Sequence, residues 1–201
     1  LKPLASWGRC SMQKGDTWTM GAAVERAYAQ EVVKRGGVVM PLCAFVGNSG
    51  LTGAPMMVTA KGWRVAPDFL VVRHGGALWA EVKAKSQPAY YFKRRRWEHG
   101  LDWYLVKHYR DVQRESGSPV WIIVYEEHSP TSAEAAPEWD ERHLTPYRCC
   151  EESGVWLYAR LDAVIEAGER RKTWPDGQGG EHGHGGLLWP RDIMHQVRAS
   201  Q

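Results

Sequence analysis

The feature that most restricts the fold is a pair of apolar segments joined by a short turn in the middle of the chain. Residues 69–72 are apolar, residues 73–76 (RHGG) have turn composition, and residues 77–85 follow. A glycine-containing connection between two such segments predicts a β-hairpin. Successive side chains of its second strand point to opposite faces. One face carries Leu78, Ala80, Val82 and Ala84, and the other carries Trp79, Glu81, Lys83 and Lys85.

Helices and strands predicted on both sides of the hairpin give the chain an α/β pattern. Residues 21–35 have apolar side chains at helical spacing and end before a Gly-Gly pair, so they predict the first helix. Residues 38–46 are apolar with a central proline, which is typical of an edge strand. A second helix over 103–113 and a buried strand over 120–125 (VWIIVY) follow. The predicted order is α-β-β-β-α-β.

Composition and charge narrow the function classes. The chain has 201 residues, of which 43% are hydrophobic, and no apolar run approaches the ~20 residues needed to cross a membrane. Residues 61–114 carry twelve Lys or Arg against five Asp or Glu, whereas residues 115–169 carry three against twelve. The basic middle segment is therefore the expected binding region for a polyanion, with a solvated basic face as the alternative.

Two carboxylates and a lysine fall at matching positions of the predicted hairpin. Asp68 stands where the first strand starts, Glu81 lies well along the second strand, and Lys83 shares the face of Glu81. Carboxylate oxygens suit Mg²⁺ or Mn²⁺, and a bound metal removes the repulsion between close carboxylates. This set predicts metal-assisted hydrolysis of a phosphodiester. The alternative is a turn aspartate beside a solvated cross-strand pair.

Pro67-Asp68 followed by Glu81-Val82-Lys83 resembles the signature of the PD-(D/E)XK nuclease superfamily, whose members include restriction endonucleases, archaeal Holliday junction resolvases and VRR-Nuc domains. The resemblance covers roughly residues 21–126. It implies a restriction endonuclease-like fold, which is an α/β fold with a mixed central β-sheet flanked by helices.

The resemblance also implies roles for particular residues. Asp68, Glu81 and Val82 are expected to bind the catalytic Mg²⁺ (or Mn²⁺), and Lys83 is expected to assist the nucleophilic water. Glu25, on the first helix, is expected to complete the catalytic set. Glu31 lies as far from the apolar stripe of that helix as Glu25 does, and position relative to the first helix of the family favours Glu25.

Basic residues that follow the motif are the predicted DNA contacts. The segment Ala89-Tyr90-Tyr91-Phe92 and Trp97 flank a basic run, so their aromatic rings could stack on unpaired bases while Lys and Arg meet phosphates. A solvated basic turn with core aromatics is the alternative. The predicted DNA-binding set is Lys85, Lys93, Arg94, Arg95, Arg96 and Lys107.

These observations predict a Mg²⁺-dependent deoxyribonuclease, an endonuclease that hydrolyses DNA phosphodiester bonds. Two alternatives stay open: a non-catalytic nucleic-acid-binding or interaction module on the same fold, and a nuclease-like toxin domain acting on RNA. The predicted organisation is an N-terminal arm (1–20), a nuclease core (21–126) and a C-terminal extension (127–201). We expect a cytoplasmic protein that binds DNA and no membrane, with the oligomeric state open and a homodimer among the options.

Overall fold

Two β-sheets and three α-helices make up most of the described part of the chain. The computed structural model describes residues 17–42, 55–130, 139–140, 145–146, 150–172 and 185–197. No helix in these ranges is long and apolar enough to span a membrane. The elements are α1 (Thr17–Lys34), β1 (Val38–Pro41), β2 (Met56–Thr59), β3 (Gly62–Val65), β4 (Phe69–Arg73), β5 (Gly76–Lys85), β6 (Ala89–Tyr91), β7 (Arg96–Asp102), α2 (Trp103–Ser116), β8 (Val120–Pro130), β9 (Trp139–Asp140), β10 (Thr145–Pro146), β11 (Cys150–Arg160), α3 (Leu161–Ala167), β12 (Glu169–Arg171), β13 (Gly186–Pro190) and β14 (His195–Gln196), with a 3₁₀ turn at Arg191–Ile193.

The main sheet has six strands in the order β1-β4-β5-β8-β11-β14. All neighbours are antiparallel except β5 and β8, which run parallel because α2 crosses between them. The predicted central hairpin is β4 and β5, with Phe69 paired to Ala80 and Arg73 paired to Gly76. Gly75 lies in the turn at φ 99°, a conformation that favours glycine. Strand β1 lies at one border of this sheet, as predicted for the segment 38–46, of which residues 43–46 lie outside the described part of the chain.

Helices cover both faces of the main sheet, and each face has its own core. Helix α1 packs on the face of Ala80 and Val82, whereas α2 packs on the face of Trp79. The alternation in the sequence thus divides β5 between two cores. This arrangement confirms the predicted α/β class, a mixed central sheet flanked by helices that is consistent with a restriction endonuclease-like fold. The buried residues contributed by the two helices are Val24, Tyr28 and Val32 from α1 and Val106, Tyr109 and Val112 from α2.

A second sheet was absent from the sequence-based expectation. It has four strands in the order β12-β13-β7-β6, and the predicted basic run lies at the turn between β6 and β7. Strand β7 lacks the alternation that marks a half-buried strand, because Glu98 and His99 are both buried beside Trp97. Because two consecutive residues are polar and buried, the sequence lacks the alternation of apolar and polar residues from which a strand is predicted.

Residues beyond 126 complete both sheets. Strand β11 pairs with β8 over most of its length, and Val155, Leu157 and Ala159 belong to the core beneath α2. Strand β13 pairs with β7 in the second sheet. The segment expected as an extension of unknown role therefore supplies part of the core, to which both β11 and α3 contribute buried residues.

A buried polar cluster joins β7, β8 and the C-terminal turn. Arg191 donates from Nε to Oε1 of Glu126 at 2.8 Å and from Nη2 to Oε2 at 2.9 Å. Ser129 donates to the same carboxylate at 2.6 Å, and His99 Nε2 lies 2.7 Å from it. Burial opposes ionisation of Glu126, but the hydrogen bonds from His99 and Arg191 outweigh burial and lower its pKa. The cluster thus holds an ionised carboxylate with its partners satisfied.

Replacing Arg191 by Met should destabilise the fold strongly, because it leaves the buried Glu126 carboxylate without its cation. We expect a loss of about 3–5 kcal/mol in the free energy of unfolding, measured by urea denaturation. Arg160→Met is the matched control, since Arg160 pairs with Asp162 on the surface and should cost less than about 1 kcal/mol. Equal losses in the two variants would contradict this role for Glu126.

Candidate active site

The register of the central hairpin sets Asp68 beside Glu81. Phe69 pairs with Ala80, so one step back along the first strand and one step forward along the second bring these two residues opposite each other. The backbone N–H of Val82 donates to Oδ2 of Asp68 at 2.8 Å. The structure therefore brings together the two carboxylates that the sequence singled out.

Glu81 is held from two sides. Its side chain is buried, with Lys83 Nζ 2.5 Å from Oε1 and the Tyr109 hydroxyl donating to Oε2 at 2.7 Å. Tyr109 lies on α2 at a position that the helical pattern assigns to the apolar core. No local signal distinguishes its hydroxyl, because the partner carboxylate lies on a distant strand. Tyr109 is thus a positioning residue for Glu81 that sequence reasoning missed.

Of the two glutamates considered on α1, the structure brings Glu25 to this site. Burial raises the pKa of Glu25, and the charges that act on it include those of Lys83 and Glu81. Glu31 instead pairs with Arg35 one helical turn further on, at 2.5 Å between Arg35 Nε and Glu31 Oε1. Glu25 is therefore the helical carboxylate close enough to influence the hairpin site.

The metal-free site disfavours two negative charges at once. Burial, and then the negative charge of Glu81, raise the pKa of Asp68 well above its usual range. The ammonium of Lys83 and the N–H of Val82 oppose this shift without overcoming it. A cation placed against both carboxylates would relieve the repulsion between them.

The donor set suits a hard divalent cation. Among the described residues, no group of three or more His, Cys, Asp and Glu side chains has the spacing of a metal site. Mg²⁺ does not need such a cage, because it is usually held by one or two carboxylates and keeps several waters. Asp68 and Glu81, with the backbone oxygen of Val82, offer oxygen ligands only. These residues fit Mg²⁺ or Mn²⁺.

Lys83 is a fixed positive charge in the metal-free site. Burial lowers the pKa of Lys83, but the carboxylates of Glu81 and Asp68 more than offset burial, so the net shift is upward. Its side chain is only partly exposed, and its Nζ contacts the buried carboxylate of Glu81. Lys85 follows on the same strand face, and its pKa is lowered by burial and by the charge of Lys83. The two lysines thus form a positive edge beside the carboxylates.

The basic run divides into outward and inward residues. Lys93, Arg94 and Arg95 occupy the exposed turn between β6 and β7, and Arg95 has a left-handed φ of 49°. Lys93 and Arg95 make no ion pair with any residue in the described ranges, whereas Arg94 pairs with Glu169 at 2.9 Å. Lys107 is exposed on α2. Lys93, Arg95 and Lys107 are therefore the exposed members of the predicted set that have no ion pair within the described ranges.

Arg96 points inward from the start of β7. Its Nε lies 2.8 Å from Oε1 of the buried Glu98, which also receives Arg171 at 3.0 Å. The predicted aromatic neighbours are likewise engaged in packing, with the ring centroid of Tyr90 5.0 Å from those of Phe92 and Trp97. The structure thus places Arg96 in an internal ion pair, apart from the outward basic residues.

Asp68→Asn should stabilise the metal-free protein at neutral pH. Because the pKa of Asp68 is raised in the folded protein, the stabilising effect of its protonated form is complete below the ordinary carboxyl pKa and is lost as the pH rises through the raised value. Asn keeps the acceptor for Val82 and carries no charge. We expect the free energy of unfolding of the variant, measured by urea denaturation in EDTA, to exceed that of the wild type at pH 7 and the excess to shrink toward pH 4. A variant less stable at every pH would contradict this electrostatic account.

The fold has a distant counterpart among solved structures. No protein-family model matches the chain, and no curated protein matches it. The chain is similar to that of Hjc, a Holliday junction resolvase from the archaeal hyperthermophile Archaeoglobus fulgidus, with 14% sequence identity and a TM-score of 0.43. The similarity covers 86% of this chain and 85% of the resolvase chain.

Proposed function

We propose that this protein is a metal-dependent endonuclease that hydrolyses DNA phosphodiester bonds. The observation that carries the proposal is the joint placement of Asp68, Glu81 and Lys83 at the centre of the main sheet. The register of β4 and β5 opposes the two carboxylates, and Lys83 Nζ lies 2.5 Å from Glu81 Oε1. Two oxygen ligands beside a permanent cation suit hydrolysis of a phosphodiester, in which negative charge grows on the phosphate oxygens.

Each side chain has a distinct part in this chemistry. When bound, Mg²⁺ or Mn²⁺ would lower the pKa of a coordinated water and neutralise phosphate charge. Asp68, Glu81 and the backbone of Val82 would hold it. Lys83, kept protonated by the two carboxylates, orients the attacking water or stabilises the charge on the phosphate.

DNA is the proposed partner. The outward Lys93, Arg95 and Lys107 offer positive charge to a polyanion, and Lys85 continues the positive edge of the site. The same charges would also meet RNA phosphates, so an RNA substrate belongs in the test.

Wild-type protein with Mg²⁺ or Mn²⁺ should nick supercoiled plasmid DNA, and EDTA should abolish the activity. Asp68→Asn and Glu81→Gln should each lower the rate by about 100-fold or more, because each removes a charged ligand and keeps the side-chain volume. Asp162→Asn is the matched control, since this exposed carboxylate lies on α3 and pairs with Arg160. It should cleave at the wild-type rate.

A panel of single-stranded, duplex, flap and four-way-junction DNA, with an RNA of the same sequence, completes this test. Wild-type cleavage rates in Asp68→Asn would overturn the site assignment. Absence of DNA cleavage with both metals would contradict the proposed function, and cleavage confined to RNA would replace the substrate class.

Substitutions of Lys83 and Lys85, the two lysines of the positive edge, should change different kinetic parameters. Lys83→Met should lower kcat and kcat/KM together by about 100-fold, because its interaction with the reacting groups is made mainly in the transition state. Lys85→Met, two residues on along the same strand face, should raise KM and leave kcat near the wild-type value. Steady-state cleavage of a labelled oligonucleotide measures both. A rise in KM alone for Lys83→Met would make Lys83 a binding residue.

The outward basic turn should contribute to the salt dependence of DNA binding. Lys93→Gln with Arg95→Gln should reduce the slope of log K against log salt by up to roughly 1.8, since each duplex phosphate that a cation neutralises adds about 0.9 to the slope. Arg96→Gln is the contrasting control, because it breaks the ion pair with buried Glu98. It should lower stability and leave the slope unchanged. The slopes come from anisotropy titrations in EDTA. An unchanged slope in the double variant would show that the turn binds no phosphate.

A further inference from the structure

A second hairpin, β2 and β3, presents an apolar surface to solvent. Val58 pairs directly with Trp63, and Met56 shares their face. Their side chains are 48% (Met56), 65% (Val58) and 63% (Trp63) exposed. We call these three side chains the apolar hairpin face. An aromatic ring and two aliphatic side chains on one exposed face are typical of a binding surface.

The opposite face of this hairpin is fixed to α2. Arg64 Nε lies 3.2 Å from Oδ2 of Asp111, and Arg64 Nη2 lies 3.5 Å from Oε1 of Glu115. Met57, which pairs with Arg64 across the hairpin, packs against the core on the same side. Because strand residues alternate between faces, this anchoring directs the apolar hairpin face away from the protein.

The hairpin is coupled to the candidate active site through consecutive residues of α2. The N–H of Val65 donates to Nδ1 of His108 at 3.3 Å, and the next residue, Tyr109, donates to Glu81. Asp68 follows Trp63 by five positions in the chain, which limits the distance between their Cα atoms to about 18 Å. At about 3.4 Å for each nucleotide step along a strand, this limit corresponds to roughly five nucleotides between a phosphate at the carboxylates and a base at Trp63.

We propose that the apolar hairpin face binds unpaired DNA bases, so that the preferred substrates contain unpaired bases next to the cleaved bond. Base faces are the apolar part of DNA, and in an intact duplex they are covered by stacking. Lys61 is exposed in the turn of the hairpin and supplies positive charge for the phosphates next to the bound bases. The choice of DNA as the ligand rests on the proposed nuclease function. In this proposal the hairpin determines which DNA structures the protein prefers.

The test compares binding of two labelled DNAs by fluorescence anisotropy in EDTA, where cleavage does not interfere. One DNA is a blunt duplex and the other is the same duplex with a central run of mismatched bases. Trp63→Ala should weaken binding to the mismatched DNA by about 10-fold or more, as expected for loss of base stacking on an aromatic ring. Affinity for the blunt duplex should change by less than about twofold, because its bases stay stacked on one another.

Three further variants make the comparison specific. Trp63→Tyr should keep the preference for mismatched DNA, because its ring still stacks on a base. Val58→Ser should weaken that preference, whereas Val38→Ser should not, since Val38 is a valine of similar exposure (59%) on β1. Circular dichroism verifies that each variant is folded.

Equal affinities of the wild type and Trp63→Ala for the mismatched DNA would overturn the proposal, whether or not the protein cleaves DNA. Self-association that Trp63→Ala abolishes, with DNA binding unchanged, would also overturn it and would make the face a contact between copies. Loss of the preference in Trp63→Ala, in a protein that cleaves no DNA with either metal, would support the hairpin proposal and refute the nuclease function. The two proposals can therefore fail separately.

Discussion

The pairing register of β4 and β5 is the constraint on which the rest of the structure depends. With Phe69 opposite Ala80, Ala80 and Val82 of β5 face α1, while Glu81 and Lys83 lie on the opposite face, where Glu81 meets Tyr109 of α2. A slip of one residue would turn both charges into the core beneath α1, at the cost of burying them without partners. The hydrophobic pattern that stabilises the hairpin therefore also sets the geometry of the carboxylates.

The candidate site concentrates charge that the metal-free protein only partly compensates. Lys83 and Tyr109 satisfy Glu81, and the N–H of Val82 satisfies one oxygen of Asp68. Burial, and then the repulsion that remains between the carboxylates, oppose ionisation of Asp68, and protonation or a cation relieves the repulsion. Elsewhere, the buried carboxylate of Glu126 is fully paired and contributes to stability. Incomplete compensation at Asp68 is expected of a site that binds a cation, whereas complete pairing at Glu126 is expected of a structural ion pair.

Patterns within short stretches of sequence predicted much of this fold, whereas contacts between residues far apart in the chain could not be predicted. The hairpin, α1, α2 and β8 follow from periodicity and turn residues within short windows, and Asp68, Glu81 and Lys83 meet because their spacing lies within one hairpin. The second sheet could not be predicted, since Glu98 and His99 are buried by partners far along the chain, Arg171 and Glu126. The ion pair that turns Arg96 inward and the contact between the Tyr109 hydroxyl and Glu81 could not be predicted for the same reason. No residue near them in sequence reveals the distant partner.

Calorimetric titration of Mn²⁺ into the wild type, Asp68→Asn, Glu81→Gln and the double variant measures most directly whether the two carboxylates form one cation site. We expect the wild-type chain to bind a single Mn²⁺ and each single variant to lose affinity by more than about 10-fold. The total loss of affinity in the double variant should be smaller than the product of the losses in the two single variants, because both carboxylates hold the same ion. Mn²⁺ binding at wild-type affinity in both single variants would contradict this prediction.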